Sequence, residues 1–457
     1  MAAARGEFSS RFGFLMAASG SAVGLGNIWG FPTNTASNGG AAFLFTYLLL
    51  AFALAYPALM AELIIGRYAR ANAVTALKTI SPSAVTRGLA VAVGFMGIIT
   101  VSFILSFYAV VSGWMIAFFV DPLSRVLGLD AATAWLVTDS VSRNGIFVVV
   151  FMTLTVLIIS AGVKDGIEKW ASRLMPSLIV LLAILIIYVL TLPGAMDGLR
   201  AYLIPDFSRV ADPQLLVNAM GQAFFSLSLG VGTMLIYGSY IRKQENLPVI
   251  GSLVALLDVG IAVLAGMLIL PAMYVAAANG VQIYDASGGL IAGPGLIVSV
   301  LPDLFGRMGM IGLLVSLAFF LLMTIASLTS SISMLEVPVA YAVENHGVER
   351  RTAAIIIGML ITVISLVIVF NFDPLFDLVV TYTTEMSQPL LGLFFCIFVA
   401  WIWRRNDILA EIRQGAPQVE GGWFWKIWPV YVKFICPVAI LLVYFQEPIF
   451  SFLSQLT

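Results

Sequence analysis

Residues 12–61 form fifty consecutive positions without an Asp, Glu, Lys or Arg. A soluble fold has no use for such a run, whereas a bilayer needs roughly 20 apolar residues for each helical crossing. The stretch therefore reads as two membrane helices in succession. The rest of the chain continues the pattern: 61% of its 457 residues are hydrophobic and 10% are charged, against roughly 25% charged in soluble domains. The lipid bilayer is the solvent for most of this sequence. The apolar runs are far longer than the ~10-residue strands of a membrane barrel and do not alternate, so the spans are helices.

Runs separated by short charged or Gly/Pro-rich links predict eleven helices, over 11–36, 41–67, 88–120, 144–162, 168–192, 213–241, 247–278, 307–343, 350–370, 375–403 and 425–454. The expected fold class is an all-α polytopic membrane protein, one domain over 1–457. Several runs exceed one crossing, which requires tilt, breaks or extension beyond the bilayer. The apolar run behind Arg11 is too long for a signal-peptide core, so no cleaved leader is expected. A net charge of −1 without a basic cluster speaks against nucleic acid. His346 stands alone and Cys396 and Cys436 lie in apolar runs, which argues against a zinc site or a disulfide framework. No nucleophile–base pair or nucleotide-binding loop stands out, so neither an enzyme nor an organic cofactor is expected.

With the N-terminus inside, 17 of the 23 lysines and arginines fall in inner segments and 5 in outer ones, Lys433 lying within the last span. This bias predicts a multi-pass protein of the plasma (inner) membrane with a cytoplasmic N-terminus. An odd span count then leaves the C-terminus outside. The Gly- and Pro-rich stretch 279–306 is the one long outer segment without an evident helix. It reads either as a cap over an outer vestibule or as a plain linker.

Two spans carry glycines at their centres. The first contains Ser19-Gly20-Ser21-Ala22-Val23-Gly24-Leu25-Gly26-Asn27, the sixth Ser226-Leu227-Ser228-Leu229-Gly230-Val231-Gly232. Glycine inside a helix costs about 1 kcal/mol against alanine. Backbone freed in lipid survives only where protein or a cavity surrounds it. Small-residue helix packing is the other reading of such glycines. The breaks recur after five spans, which predicts an inverted 5+5 repeat, 11–192 and 213–403, with helix eleven at 425–454 added. Gly-interrupted spans in corresponding places point to a midplane binding site.

The runs Gly20 to Pro32 and Gln222 to Arg242 resemble the first and sixth helices of the neurotransmitter:sodium symporter family, which includes the bacterial leucine transporter. Asn38-Gly39-Gly40, Glu62 with Gly66-Arg67, Thr329-Ser330-Ser331 and the Gly166/Pro176 spacing strengthen the resemblance. In the family that last spacing goes with local unwinding of helix five, which lets water reach a sodium site. The resemblance implies a leucine-transporter-like fold and two sodium ions held by oxygen, the ligand that hard cations prefer. One site would use the carbonyls of Gly20, Val23 and Ala326 with the hydroxyls of Thr329 and Ser330. The other would use the Ala22 carbonyl, Asn27, Ser226 and Asp258, the last standing where the leucine transporter has an amide. A substrate carboxylate would meet the amides near Gly24 and Gly26 and the Tyr108 hydroxyl. Its ammonium would meet carbonyls of Ala22, Phe225, Ser226 and Ser228. Ile104, Tyr108, Phe225, Val231, Ser330 and Met334 would surround the side chain. That wall is mostly apolar and carries no fixed charge, which implies a small, neutral, aliphatic amino acid. Tyr47, Gln222, Ser226 and Asp258 match the region where animal relatives bind chloride, and here the fixed acid takes the anion's place.

The sequence departs from the family at the outer gate. The signature Trp-Arg-Phe-Pro reads Trp29-Gly30-Phe31-Pro32, and Val380 stands where the arginine's acidic partner belongs, with Asp377 one turn earlier. Outer closure would then rest on Tyr108, Phe225 and the 279–306 cap. Arg5 and Glu344 match the family's inner ion pair, with Ser239 and Tyr240 bracing it. The function implied is sodium-coupled import of a small neutral amino acid by alternating access, independent of chloride. Asp258, once its sodium leaves, is placed to take up a proton, which allows proton antiport. The rival readings are a substrate-binding membrane sensor on the same fold and an ion channel.

Overall fold

The computed structural model describes residues 6–204, 210, 212–284, 291 and 296–445. Among them nine helices are long and apolar enough to cross a membrane: Ala41–Ala69, Ala84–Val126, Val141–Ser160, Val163–Leu190, Leu247–Ala278, Gly309–His346, Arg350–Phe370, Phe372–Ile402 and Trp423–Leu442. A bent pair, Arg11–Ala22 and Gly26–Ser37, supplies the first span, with a 52° bend at its break. The sixth consists of Pro213–Ser226 and Thr233–Gly238. Eleven spans result, no strand is present among the described residues, and the predicted boundaries hold to within six residues, apart from the end of 425–454, which lies outside the described residues. The third span runs for 43 residues, about 65 Å at 1.5 Å per residue, and so projects well past a ~30 Å hydrocarbon core.

Each break has a local cause. Val23 ends the first half-helix in extended backbone, at φ −76° and ψ 103°, and the chain resumes at Gly26. In the sixth span Ser228, Gly230 and Gly232 all have positive φ, of 53°, 82° and 82°. That conformation ends a right-handed helix, and glycine adopts it without strain. The freed backbone is served by side chains from other spans. Glu62 accepts the Gly230 N–H at 2.7 Å and the Leu235 N–H at 3.2 Å. Gln388 donates to the Leu229 carbonyl at 3.1 Å, and Ser228 reaches across to the Ser21 carbonyl at 2.8 Å. An interrupted helix in a bilayer requires this kind of substitute partner.

The third and eighth spans form the most extensive helix pair. The first half of span one packs on spans five, seven and eight, and its second half on span seven. The second half of span six packs on span two. The two broken spans therefore sit inside the bundle, and the ninth span lies outside, on the fourth and third.

One expectation needs correction. The 279–306 stretch is not free of helix: it carries a turn at Leu296–Val300 and a helix at Leu301–Arg307. Arg307 ties its ends by donating to the Asn279 carbonyl at 3.0 Å. Residues 285–290 and 292–295, on which the cap reading also depends, lie outside the described residues. In span five the Gly166–Pro176 interval is helical here, a π turn over Val163–Glu168 running into Lys169–Leu190. The Glu168 carboxylate accepts from Ser9 N and Oγ at 2.7 and 2.6 Å, fastening the segment before span one to this turn.

Candidate functional site

Four oxygens converge where the first break meets span eight. Ser330 Oγ lies 3.2 Å from the Gly20 carbonyl and 3.3 Å from those of Ser21 and Val23. One hydroxyl proton can serve one of these acceptors at a time. The cluster thus has more lone pairs than donors, the condition a cation relieves. Thr329 behaves differently: its hydroxyl bonds back to the Ile325 and Ala326 carbonyls at 3.1 and 3.0 Å, as threonines in helices commonly do. Gly20 lies against this threonine, since a Cβ there would stand 3.1 Å from Thr329 Cβ. Gly20, Val23, Ala326, Thr329 and Ser330 therefore meet in one corner.

A second corner forms around Asp258, which is completely buried. Asn27 Nδ2 donates to its Oδ1 at 2.6 Å, and Ser226 Oγ lies 3.0 and 2.9 Å from its two oxygens. Tyr47 and Ser226 are 3.3 Å apart through their hydroxyls. Asn27 Oδ1 in turn accepts the Gly24 N–H at 3.2 Å. These partners are uncharged, so the carboxylate lies inside the bundle without a countercharge from them. An ionisable residue within a span marks a functional site by default.

Beside the first corner, with Ser330 on its wall, lies a cavity of about 20 Å³, room for about one water. Its wall includes Ala22, Gly24, Gly26, Ile104, Tyr108, Phe225, Ser228, Val231, Ser330 and Met334. Ser226 is not on this wall, because its side chain turns to Asp258 from the last helical turn before the break. The Tyr108 hydroxyl accepts the Leu25 N–H at 3.0 Å, so it already holds the amide end of the second half-helix. Gly24 faces Ser330 and Tyr108 so closely that a Cβ would stand 2.3 Å from Ser330 Oγ and 2.5 Å from the Tyr108 hydroxyl. Overpacking of this kind costs about 1–3 kcal/mol. Gly24→Ala should therefore weaken sodium-dependent substrate binding roughly ten- to hundredfold, measured as equilibrium binding of labelled substrate. Unchanged binding would mean that these three groups do not form one site.

Beyond Tyr108 and Phe225 opens a vestibule of about 280 Å³. Both residues line both cavities and so separate them. Gly30, Asp377 and Val380 are on the vestibule wall, with Glu385, and the described lining includes no lysine or arginine. The space above Gly30 is taken by Gln222, whose Oε1 would be 3.2 Å from a Cβ there. Gln222 donates to the Gly26 carbonyl at 2.7 Å and accepts from Asn34 at 3.1 Å. An amide chain thus fills the space beside Gly30.

At the other end of the bundle, Arg5 lies outside the described residues. Glu344 accepts from the backbone and side-chain nitrogens of Asn72 at 2.7 and 2.9 Å. Ser239 donates to the Ile236 carbonyl. Tyr240 donates at 2.5 Å to Glu336, a fully buried carboxylate that also pairs with Arg350. Sequence reasoning passed over Glu336 and Arg350, although an acid within an apolar span was a readable signal. It also missed Ser21, Val101, Thr233 and Gln388 on the central wall. Nothing local distinguishes these from packing residues.

The chain is 33% identical over 453 residues to the uncharacterized sodium-dependent transporter YhdH of Bacillus subtilis, covering 96% of each. It is 26% identical to the sodium- and chloride-dependent taurine transporter of Bos taurus, over 94% of this chain and 77% of that one. The crystal structure of MhsT in complex with L-phenylalanine superposes with a TM-score of 0.83 at 36% identity, covering 96% of this chain and 99% of that one. The family model described as the sodium:neurotransmitter symporter family matches residues 5–146 and 138–455. Two broken helices facing an oxygen-lined centre, and a family model that spans the chain almost end to end, make this protein a sodium-dependent, multi-pass transporter of the sodium:neurotransmitter symporter family.

Proposed function

We propose that the protein imports a small neutral amino acid together with two sodium ions, without chloride, by alternating access. The observation that carries the reading is the excess of acceptors at Ser330: Ser228 serves the Ser21 carbonyl, and the Gly20 and Val23 carbonyls share the one Ser330 hydroxyl. In this reading one sodium is held by Gly20, Val23, Ala326, Thr329 and Ser330. The other is held by Ala22, Asn27, Ser226 and Asp258, and Asp258 supplies the balancing negative charge. The amino acid sits between them, its carboxylate toward Gly24 and Gly26. The amide end of a half-helix favours an anion. A solved relative holds L-phenylalanine and a curated one is named for taurine, which supports an amino-acid-type substrate.

Phe225 and Tyr108 form the outer barrier in this mechanism, and Arg5 with Glu344 the inner one. The halves 11–192 and 213–403 act as inverted repeats that rock about the site. The Lys/Arg bias supports a plasma-membrane protein with its N-terminus in the cytoplasm and its C-terminus outside. Asp258, emptied of sodium on the inner side, is the group that would take up a proton for the return step.

Sodium-dependent counterflow in proteoliposomes with a panel of labelled amino acids tests the proposal. A transporter exchanges label with saturation. Binding without exchange would identify a sensor, and flux without saturable counterflow a channel.

A further inference from the structure

Gln388 is 1% exposed and lies on the wall of the central cavity. Its Nε2 donates to the Leu229 carbonyl at 3.1 Å, in the break of span six. Its Oε1 is buried and has no hydrogen-bond partner among the described residues. The two ends of the amide cannot be exchanged, because an oxygen facing the Leu229 carbonyl would set two acceptors against each other. The neighbouring hydroxyls are committed: Thr233 donates to the Ser228 carbonyl at 2.5 Å and Ser228 to the Ser21 carbonyl at 2.8 Å. The cavity wall also carries the apolar Val101, Val231 and Met334. A buried acceptor left unserved is costly, and native proteins rarely retain one without a reason.

We propose that Gln388 is a specificity-determining residue whose Oε1 accepts a hydrogen bond from the substrate side chain. The preferred substrate is therefore a neutral amino acid whose side chain ends in an O–H or N–H donor. This deepens the proposed function and rests on it. It revises the aliphatic side chain expected from the apolar wall. An apolar pocket alone discriminates weakly between near-isosteres, whereas a site with a dedicated hydrogen-bonding partner rejects the analogue that lacks the donor.

The test is competition against sodium-dependent uptake, using pairs that differ by the donor: serine and alanine, threonine and valine, tyrosine and phenylalanine. In the pairs that bind, the donor-bearing member should compete about tenfold or more better. Gln388→Leu should bring the members of each pair to within about twofold, read as the ratio within each pair so that any general loss of uptake from freeing the Leu229 carbonyl cancels. The comparison on the unaltered protein stands by itself should the variant fail to fold. Equal competition within every pair by the unaltered protein overturns the proposal, and so does undiminished discrimination in Gln388→Leu. A bound water satisfying Oε1 would produce that equal competition. Both results leave sodium-driven amino-acid transport intact. Absence of sodium-dependent uptake or binding for every amino acid would instead overturn the proposed function together with this inference.

Discussion

Asp258→Asn should abolish sodium-driven uptake in chloride-free medium, and chloride should restore part of it. The argument is one of charge balance. Two sodium ions carry two positive charges into a poorly screened interior, and a zwitterionic amino acid adds none. Asp258 is fully buried and held by Asn27 and Ser226, so its charge lies close to the proposed ion. Asparagine preserves the shape and removes the charge. Stripping one partner from a buried ion pair costs about 3–5 kcal/mol, so sodium affinity should fall on the order of a hundredfold or more. Chloride beside Tyr47, Gln222 and Ser226 would replace the lost charge, in keeping with a relative named as both sodium- and chloride-dependent. Sodium titrations of uptake, with chloride and with an inert anion, read both effects. Chloride-dependent uptake by the unaltered protein would defeat the idea, as would unaltered sodium affinity in the asparagine variant.

The second large effect concerns stability. Arg67, at the end of the second span, is completely buried, and Glu411, on a helix at Arg405–Arg413, is 1% exposed. Arg67 Nε pairs with the Glu411 carboxylate at 2.7 Å. The same guanidinium donates to the Glu411 carbonyl at 2.5 Å and the Glu245 carbonyl at 2.6 Å. One side chain thus ties three segments together: the second span, the link between spans six and seven, and the helix after span ten. Glu411→Gln leaves a buried guanidinium without its countercharge. A loss of about 3–5 kcal/mol is a large part of a typical 5–15 kcal/mol total. Thermal unfolding in detergent should show a clear drop. The double variant Arg67→Met with Glu411→Leu should lose less than the single one, because neither charge is then stranded. A Glu411→Gln variant as stable as the parent would show that the pair is not what holds these segments.

Much of the molecule was readable in one dimension. The eleven apolar runs predicted the spans because a helix must satisfy its own backbone in lipid, which makes long apolar runs unambiguous. The glycines at 24, 26, 230 and 232 announced the breaks, since they stand at the centre of runs where nothing else tolerates an interrupted ladder. Asp258 was legible for a similar reason: a lone acid in an apolar span has no cheap structural excuse. Other features depended on which faces of distant spans meet. Ser226 was read both for its carbonyl, toward the substrate, and as a sodium ligand with Asp258; only the fold shows that its hydroxyl is turned to Asp258 and that the residue is off the cavity wall. Thr329 and Ser330 are adjacent and chemically alike, yet one bonds back to its own helix and the other points at the first break. Gln388 and Glu336 acquire their roles from Leu229 in span six and Arg350 in span nine. The helix at Leu301–Arg307 was hidden by flanking glycines and prolines. The sequence by itself determined the solvent, the spans and the positions of the breaks, because those follow from hydrophobicity and backbone freedom over short distances. The tertiary structure decided which buried polar groups are satisfied and which, among the described residues, lack a partner, because a hydrogen bond depends on ångström-scale placement of partners that the chain brings together from far apart.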